Sequence, residues 1–86
     1  MRSVKIKLNN IDGLHARPAS RLVGLCHQLV SSIMISVQEA TANGKNITEV
    51  LGLGAEMGNI LIIEINGIDE ARAEKAIKDF FGTGAE

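Results

Sequence analysis

Apolar and polar residues alternate near the start of the chain, where Val4, Ile6 and Leu8 are separated by Lys5 and Lys7. A period of two places the apolar side chains on one face of a strand and the lysines on the other, which predicts a half-buried first strand. Asn9 to Gly13 is rich in turn formers. The period then changes. Ala19, Leu22, Val23, Cys26 and Val30 recur at spacings of three and four, the stripe of an amphipathic helix running from about Ala16 to Gln28. Ser31 and Ser32 interrupt it. Ile33, Ile35 and Val37 return to alternation and mark a second strand.

A weaker strand around Ala40 to Ala42 is expected to pair with the second strand, although the intervening Gln38-Glu39 lacks the usual Asn-Gly turn chemistry. Asn43-Gly44 is a strong turn signal. Asn46 with Glu49 three residues on forms a capping-box-like start for a short helix carrying Ile47, Val50 and Leu51, ended by Gly52 and Gly54. Ile60 to Ile65 is rich in β-branched residues and reads as the most buried strand. On it, Ile60 and Ile62 face away from Leu61, Ile63 and Ile65, forming with Met34 an outer apolar stripe of tolerated exposure. Asn66-Gly67 closes this strand. Asp69 is placed to cap a last helix with Ala73, Ala76, Ile77, Phe80 and Phe81 along one face and Gly82 as its stop. The order is strand, helix, strand, strand, helix, strand, helix. With one apolar stripe per helix, this predicts an α+β open-faced β-sandwich: a four-stranded, mostly antiparallel sheet with three helices on one face.

At 86 residues the chain is expected to form one domain, residues 1–86. Such a domain has little room for a nucleotide site, a deep pocket and a lid together, which favours a carrier or binding module over a self-contained kinase. Net charge is −1 with both signs interspersed, and the only aromatics are Phe80 and Phe81. Without a basic stripe or a stacking platform, no nucleic-acid binding is expected. A single cysteine cannot form an internal disulfide and suits a reducing cytoplasm. No apolar run is long enough to span a bilayer, and the N-terminus does not read as a signal peptide. Cys26 and His27 are adjacent and point about 100° apart on a helix. Cys26 lies on the apolar stripe, so no metal site is expected.

The chemistry concentrates in Gly13-Leu14-His15-Ala16-Arg17-Pro18. His15 falls where the first long helix begins. The first backbone N–H groups of a helix have no partner within it, and its dipole places partial positive charge there, so this end attracts anions. A neutral imidazole at that place is a nucleophile beside a phosphate cradle. Imidazole is a poor N-cap compared with Asp, Asn or Ser, which argues against a merely structural role. Arg17 adds a permanent cation with a fork of donors suited to phosphate oxygens. Taken alone it would be a solvated surface charge. Pro18 fits the first helical turn, and Asp12 reads as a turn former.

With this segment, its length and its element order, the chain resembles the HPr family of histidine-containing phosphocarriers of the bacterial sugar phosphotransferase system. The likeness runs over the whole chain. The Gly13 to Ala19 segment matches the family's active-site motif, and Lys45 and Gly54 stand where the family has them. The resemblance implies that His15, through Nδ1, accepts a phosphoryl group from enzyme I and passes it to the IIA domain of a sugar permease. It implies that Arg17 neutralises phosphate charge and that the N–H groups of Ala16 and Arg17 bind the phosphate. It further implies that Arg17, Lys45, Ile47, Thr48 and Leu51 contact partners, and that the protein acts as a cytoplasmic monomer without a cofactor.

The chain departs from the pattern at several places. Asn46 stands where many members carry a regulatory serine, so no regulatory phosphoserine is expected, while the helix cap is kept. Thr48 replaces a larger apolar residue, Glu49 adds a charge, and Gly24 and His27 stand where some members have lysines. These changes leave open a carrier of a specialised or regulatory branch. A non-transferring interaction module is the third reading, disfavoured because His15 is kept.

Overall fold

The computed structural model describes residues 1–9 and 12–82. Its elements are β1 (Arg2–Lys7), α1 (Ala16–His27), β2 (Ser32–Val37), β3 (Ala40–Asn43), α2 (Ile47–Gly52), β4 (Ile60–Asn66) and α3 (Glu70–Phe80). The four strands form one sheet in the order β1-β4-β2-β3, with every neighbouring pair antiparallel. The isoleucine-rich β4 therefore lies inside the sheet, paired on both edges. That is where β-branched side chains pack best against cross-strand neighbours.

Register aligns the inward residues across all four strands. Val4 faces Ile63, Ile63 faces Ile35, and Ile35 faces Ala42, and each of these side chains is buried. Over this row pack Ala19, Leu22, Val23 and Cys26 of α1, Val50 of α2, and Ala73 and Ile77 of α3, all within one apolar core. The helices cover a single face. The opposite face carries Lys5, Ile62, Ser36 and Thr41 in register. β4 is thus central yet buried on one face only: Leu61, Ile63 and Ile65 are inside, while Ile60 is 48% exposed. The outer stripe of Ile60, Ile62 and Met34 exists as expected, and it limits the reading of this strand as the most buried segment.

Three expectations are corrected. Val30 does not continue the α1 stripe. The helix ends at His27, Val30 is 69% exposed, and Leu29 takes the buried place. Asp69 occupies the N-cap position of α3 but makes no capping bond. Its carboxylate is drawn instead to the backbone of Val30 and Ser31. The capping box of α2 is half formed. Asn46 Oδ1 accepts the Glu49 N–H at 3.1 Å, but Glu49 Oε1 accepts the N–H of Asn43, at 2.8 Å, and not that of Asn46. The β2–β3 turn forms despite its composition, with Gln38 taking the left-handed conformation at φ 54°. Of the expected turn from Asn9 to Gly13, Asn10 and Ile11 lie outside the described residues.

Candidate functional site

The loop before α1 is seated against the segment after α2. Gly13 adopts φ +56°, and a β-carbon there would collide with the Ala55 carbonyl oxygen and stand 2.7 Å from Glu56 Cα. Only glycine combines that conformation with so close an approach. The next residue, Leu14, is buried and donates its N–H to the same Ala55 carbonyl at 3.0 Å. His15 N–H then donates to the Asp12 carbonyl at 3.2 Å. Anchored so, His15 arrives at the N-cap of α1 with extended backbone (φ −82°, ψ −168°). Its carbonyl accepts the first helical bond, from Ala19 N–H at 2.9 Å. Its imidazole is exposed and makes no capping bond, so the ring is presented to solvent.

Charge around the ring favours an incoming anion. The first turn of α1 contains no acidic residue, so none within that turn offsets the positive end of the dipole. The N–H groups of Ala16 and Arg17 stand ahead of the helical ladder, and Pro18 contributes none. Arg17 is exposed. Among the described residues its guanidinium forms no ion pair, the pairs lying at the N-terminus and along α3. A helix terminus at an exposed position contributes about 0.3–1 kcal/mol to binding a negative charge.

Beside α1 lies α2, whose Val50 is buried while Ile47 and Leu51 are 38% and 42% exposed. Thr48 is exposed as well. The structure thus gives α2 an outward apolar pair, as the docking reading requires. An open groove of about 670 Å³ separates the two helices, lined by Ser20, Val23, Gly24 and His27 on one side and Lys45, Asn46 and Ile47 on the other. Lys45 has a role inside the molecule that its sequence position does not announce. Its ammonium donates to the Leu29 carbonyl at 2.8 Å, and its own carbonyl accepts from His27 Nε2 at 2.7 Å. These bonds brace the end of α1 against the lead-in to α2 across a separation of some eighteen residues, beyond the reach of any local pattern.

Cys26 is buried, and that burial pushes its thiol up to about 11 against the opposing effect of the Lys45 charge. It stays protonated at neutral pH and is no nucleophile. Among the described residues no group of His, Cys, Asp and Glu could hold a metal ion, and no helix is long and apolar enough to cross a membrane.

Residues 2–83 match the family model described as the PTS HPr component phosphorylation site. Phosphocarrier protein HPr of Neisseria meningitidis serogroup A is 32% identical over 83 residues, covering 92% of this chain and 93% of that protein. The crystal structure of HPr-C-His from Thermoanaerobacter tengcongensis superposes with a TM-score of 0.90 at 34% identity, covering 94% of this chain and 91% of that one. The HPr dimer from the same organism gives a TM-score of 0.75 at 33% identity, covering 98% and 97%. The exposed histidine at a helix start thus sits in a fold shared along nearly its whole length, and the chain belongs to the HPr family, the phosphocarriers of the phosphotransferase system.

Proposed function

We propose that His15 is the phosphoryl acceptor, loaded by phospho-enzyme I and discharged to the IIA domain of a sugar permease in the cytoplasm, by a chain that works as a monomer. The observation that carries this reading is the exposed imidazole at the N-cap of α1, with no acidic residue in the following turn. In the loading step the lone pair of Nδ1 attacks phosphorus, the bond from phosphorus to the donor breaks, and a phosphoramidate forms on the ring. The incoming negative charge faces the N–H groups of Ala16 and Arg17 and the Arg17 guanidinium. Discharge reverses these roles at the acceptor of the next protein. Ile47, Thr48 and Leu51 on α2, with Arg17 and Lys45, form the partner contacts in this reading.

Incubation with enzyme I and phosphoenolpyruvate tests the proposal. One acid-labile, base-stable phosphate is expected per chain. His15→Ala abolishes it and His27→Ala leaves it intact; full labelling of His15→Ala would refute the assignment. Arg17→Ala removes a charged hydrogen bond worth roughly 1.5–3 kcal/mol in the transition state. It therefore slows transfer by about tenfold or more with little change in melting.

A further inference from the structure

We propose that His27 and Lys45 are positioning residues for phosphoryl transfer, which hold the outward face of α2 in register with His15 without themselves touching the partner. The inference rests on the reading of His15 as acceptor and of Ile47 and Leu51 as docking residues. α2 is tied to α1 at both ends. The segment after α2 is seated at the start of α1, where the Ala55 carbonyl accepts the Leu14 N–H at 3.0 Å. The segment before α2 is seated at the far end of α1. There His27 Nε2 donates to the Lys45 carbonyl at 2.7 Å, and the Lys45 ammonium donates to the Leu29 carbonyl at 2.8 Å. α2 therefore runs back along α1, a helix of 12 residues. Its register is set by two ties separated by roughly 18 Å, the rise of such a helix. One tie adjoins the acceptor, and the other is made by His27 and Lys45.

The far tie is a reciprocal clasp. Each of the two segments gives one side-chain donor and one backbone acceptor. A carbonyl brings no hydrogen, so Nε2 of His27 carries the proton in this bond. The rest of the lead-in is fixed from the sheet side: Lys45 N–H donates to Asn43 Oδ1 at 2.9 Å, and Gly44 N–H donates to the Ile33 carbonyl at 2.7 Å. Gly44 also lies against α1, since a β-carbon there would stand 3.2 Å from Cys26 Sγ. Ile47 follows Lys45 by two residues, so a shift of Lys45 is passed directly to the docking pair. With its ammonium turned to the Leu29 carbonyl, Lys45 enters docking through the surface it orders. A partner seated on a displaced α2 face still binds, but its phosphorus is no longer in line with the His15 ring. The loss then falls on the transfer step, where small misplacements of reacting atoms are costly.

Steady-state loading by enzyme I and phosphoenolpyruvate, with the concentration of the chain varied, tests the clasp. His27→Leu removes one donor and is expected to lower the maximal rate about tenfold. The half-saturating concentration stays within about twofold, because no contact with the partner is lost. His27→Gln, whose amide nitrogen can stand in for Nε2, restores most of the rate. Lys45→Met lowers the maximal rate in the same way and leaves the salt dependence of half-saturation unaltered, since no interfacial charge is removed. Combined with His27→Leu it costs less than the product of the two single losses, because both break one clasp. Loading of His27→Leu by a small phosphoramidate donor matches that of the natural chain. Where Lys45→Met melts below the assay temperature, the two His27 variants decide the matter. A raised half-saturating concentration at unchanged maximal rate would make these side chains partner contacts and overturn the proposal, as would equal losses in His27→Gln and His27→Leu. Equal loading of all variants would remove this inference alone, whereas a natural chain that enzyme I does not load would remove the acceptor reading and this inference with it.

Discussion

Asp69 and Ser31 are joined twice across the molecule. Oδ1 of Asp69 accepts both the Ser31 backbone N–H, at 2.9 Å, and the Ser31 hydroxyl. Oδ2 accepts the Val30 N–H at 2.9 Å. These bonds fasten the start of α3 to the chain leaving α1, and Ser31 is the one buried polar residue of the described chain. Led by the Ser31 hydroxyl, they lower the Asp69 carboxyl from 3.8 to about 2. Between those values the unfolded chain binds the proton that the folded chain refuses. The bridge is therefore complete above a pH of about 4 and is lost as pH falls towards 2. Urea midpoints measured across this window should fall more steeply for the natural chain than for Asp69→Asn. Parallel curves would show that the bridge contributes nothing to acid stability. At neutral pH, Ser31→Ala should lower the melting temperature by several degrees.

A second prediction separates two left-handed glycines. Gly13 and Gly54 adopt φ +56° and +62°, but a β-carbon meets backbone at Gly13 and nothing within 4 Å at Gly54. Gly54→Ala should cost about 1–2 kcal/mol, the conformational penalty alone. Gly13→Ala adds a backbone collision and should cost about 1–3 kcal/mol more. It should also slow phosphoryl transfer, because relief of the collision moves Leu14 and His15. Calorimetry with a transfer assay checks both; equal stability losses would mean that the contact with Ala55 and Glu56 yields freely.

Most of the fold was legible in the sequence because each element is short and its period is unbroken. Val4 to Leu8, Ile33 to Val37 and Ile60 to Ile65 declare their inward faces by alternation, and the Ala19 to Cys26 stripe declares α1. The failures share a cause. Val30 keeps helical spacing but follows the helix end, and spacing cannot reveal where a chain turns away. Asp69 looks like a cap because local rules see only its own helix, whereas its best donors lie on a segment distant in sequence. Glu49 bonds Asn43, and Lys45 bonds Leu29, for the same reason. In the site, His15 and its helix start were visible in six consecutive residues. The buttress formed by Ala55 and Glu56 was not, since only the folded chain brings it to Gly13.

The docking reading of α2 makes a third prediction. Ile47 and Leu51 are one turn apart and both partly exposed, while Val50 anchors the helix in the core. Leu51→Glu should therefore change stability by no more than about 0.5 kcal/mol and reduce transfer with both enzyme I and the IIA domain. Loading of His15 by a small phosphoramidate donor should be unaffected. Val50→Ala, in contrast, should cost about 1–3 kcal/mol by opening a cavity. Thr48→Met should tighten partner binding by enlarging the apolar patch. Unaltered partner affinity in both Leu51→Glu and Thr48→Met would place the docking face elsewhere.

The last prediction concerns Asn46. Its side-chain oxygen caps α2 through the Glu49 N–H, a role that serine fills about equally well. Asn46→Ser should therefore leave stability nearly unchanged. Asn46 offers no hydroxyl, so a serine kinase acting on HPr-family proteins should leave the natural chain unphosphorylated. Thr48, the nearest hydroxyl, lies inside α2, where its backbone is committed to the helical turn. The Asn46→Ser chain gains an acceptor at the helix start, where added negative charge is favoured by the free N–H groups. Glu49 is held towards Asn43 by its bond to that N–H, but its charge stays in the same turn and should slow the kinase. Glu49→Ala added to Asn46→Ser should accordingly speed phosphorylation. The resulting phosphoserine would stand beside the exposed Ile47 and should hinder loading of His15 by enzyme I. Mass spectrometry after incubation with kinase and ATP decides the first step. Stoichiometric phosphate on the natural chain would show that Asn46 does not remove the acceptor.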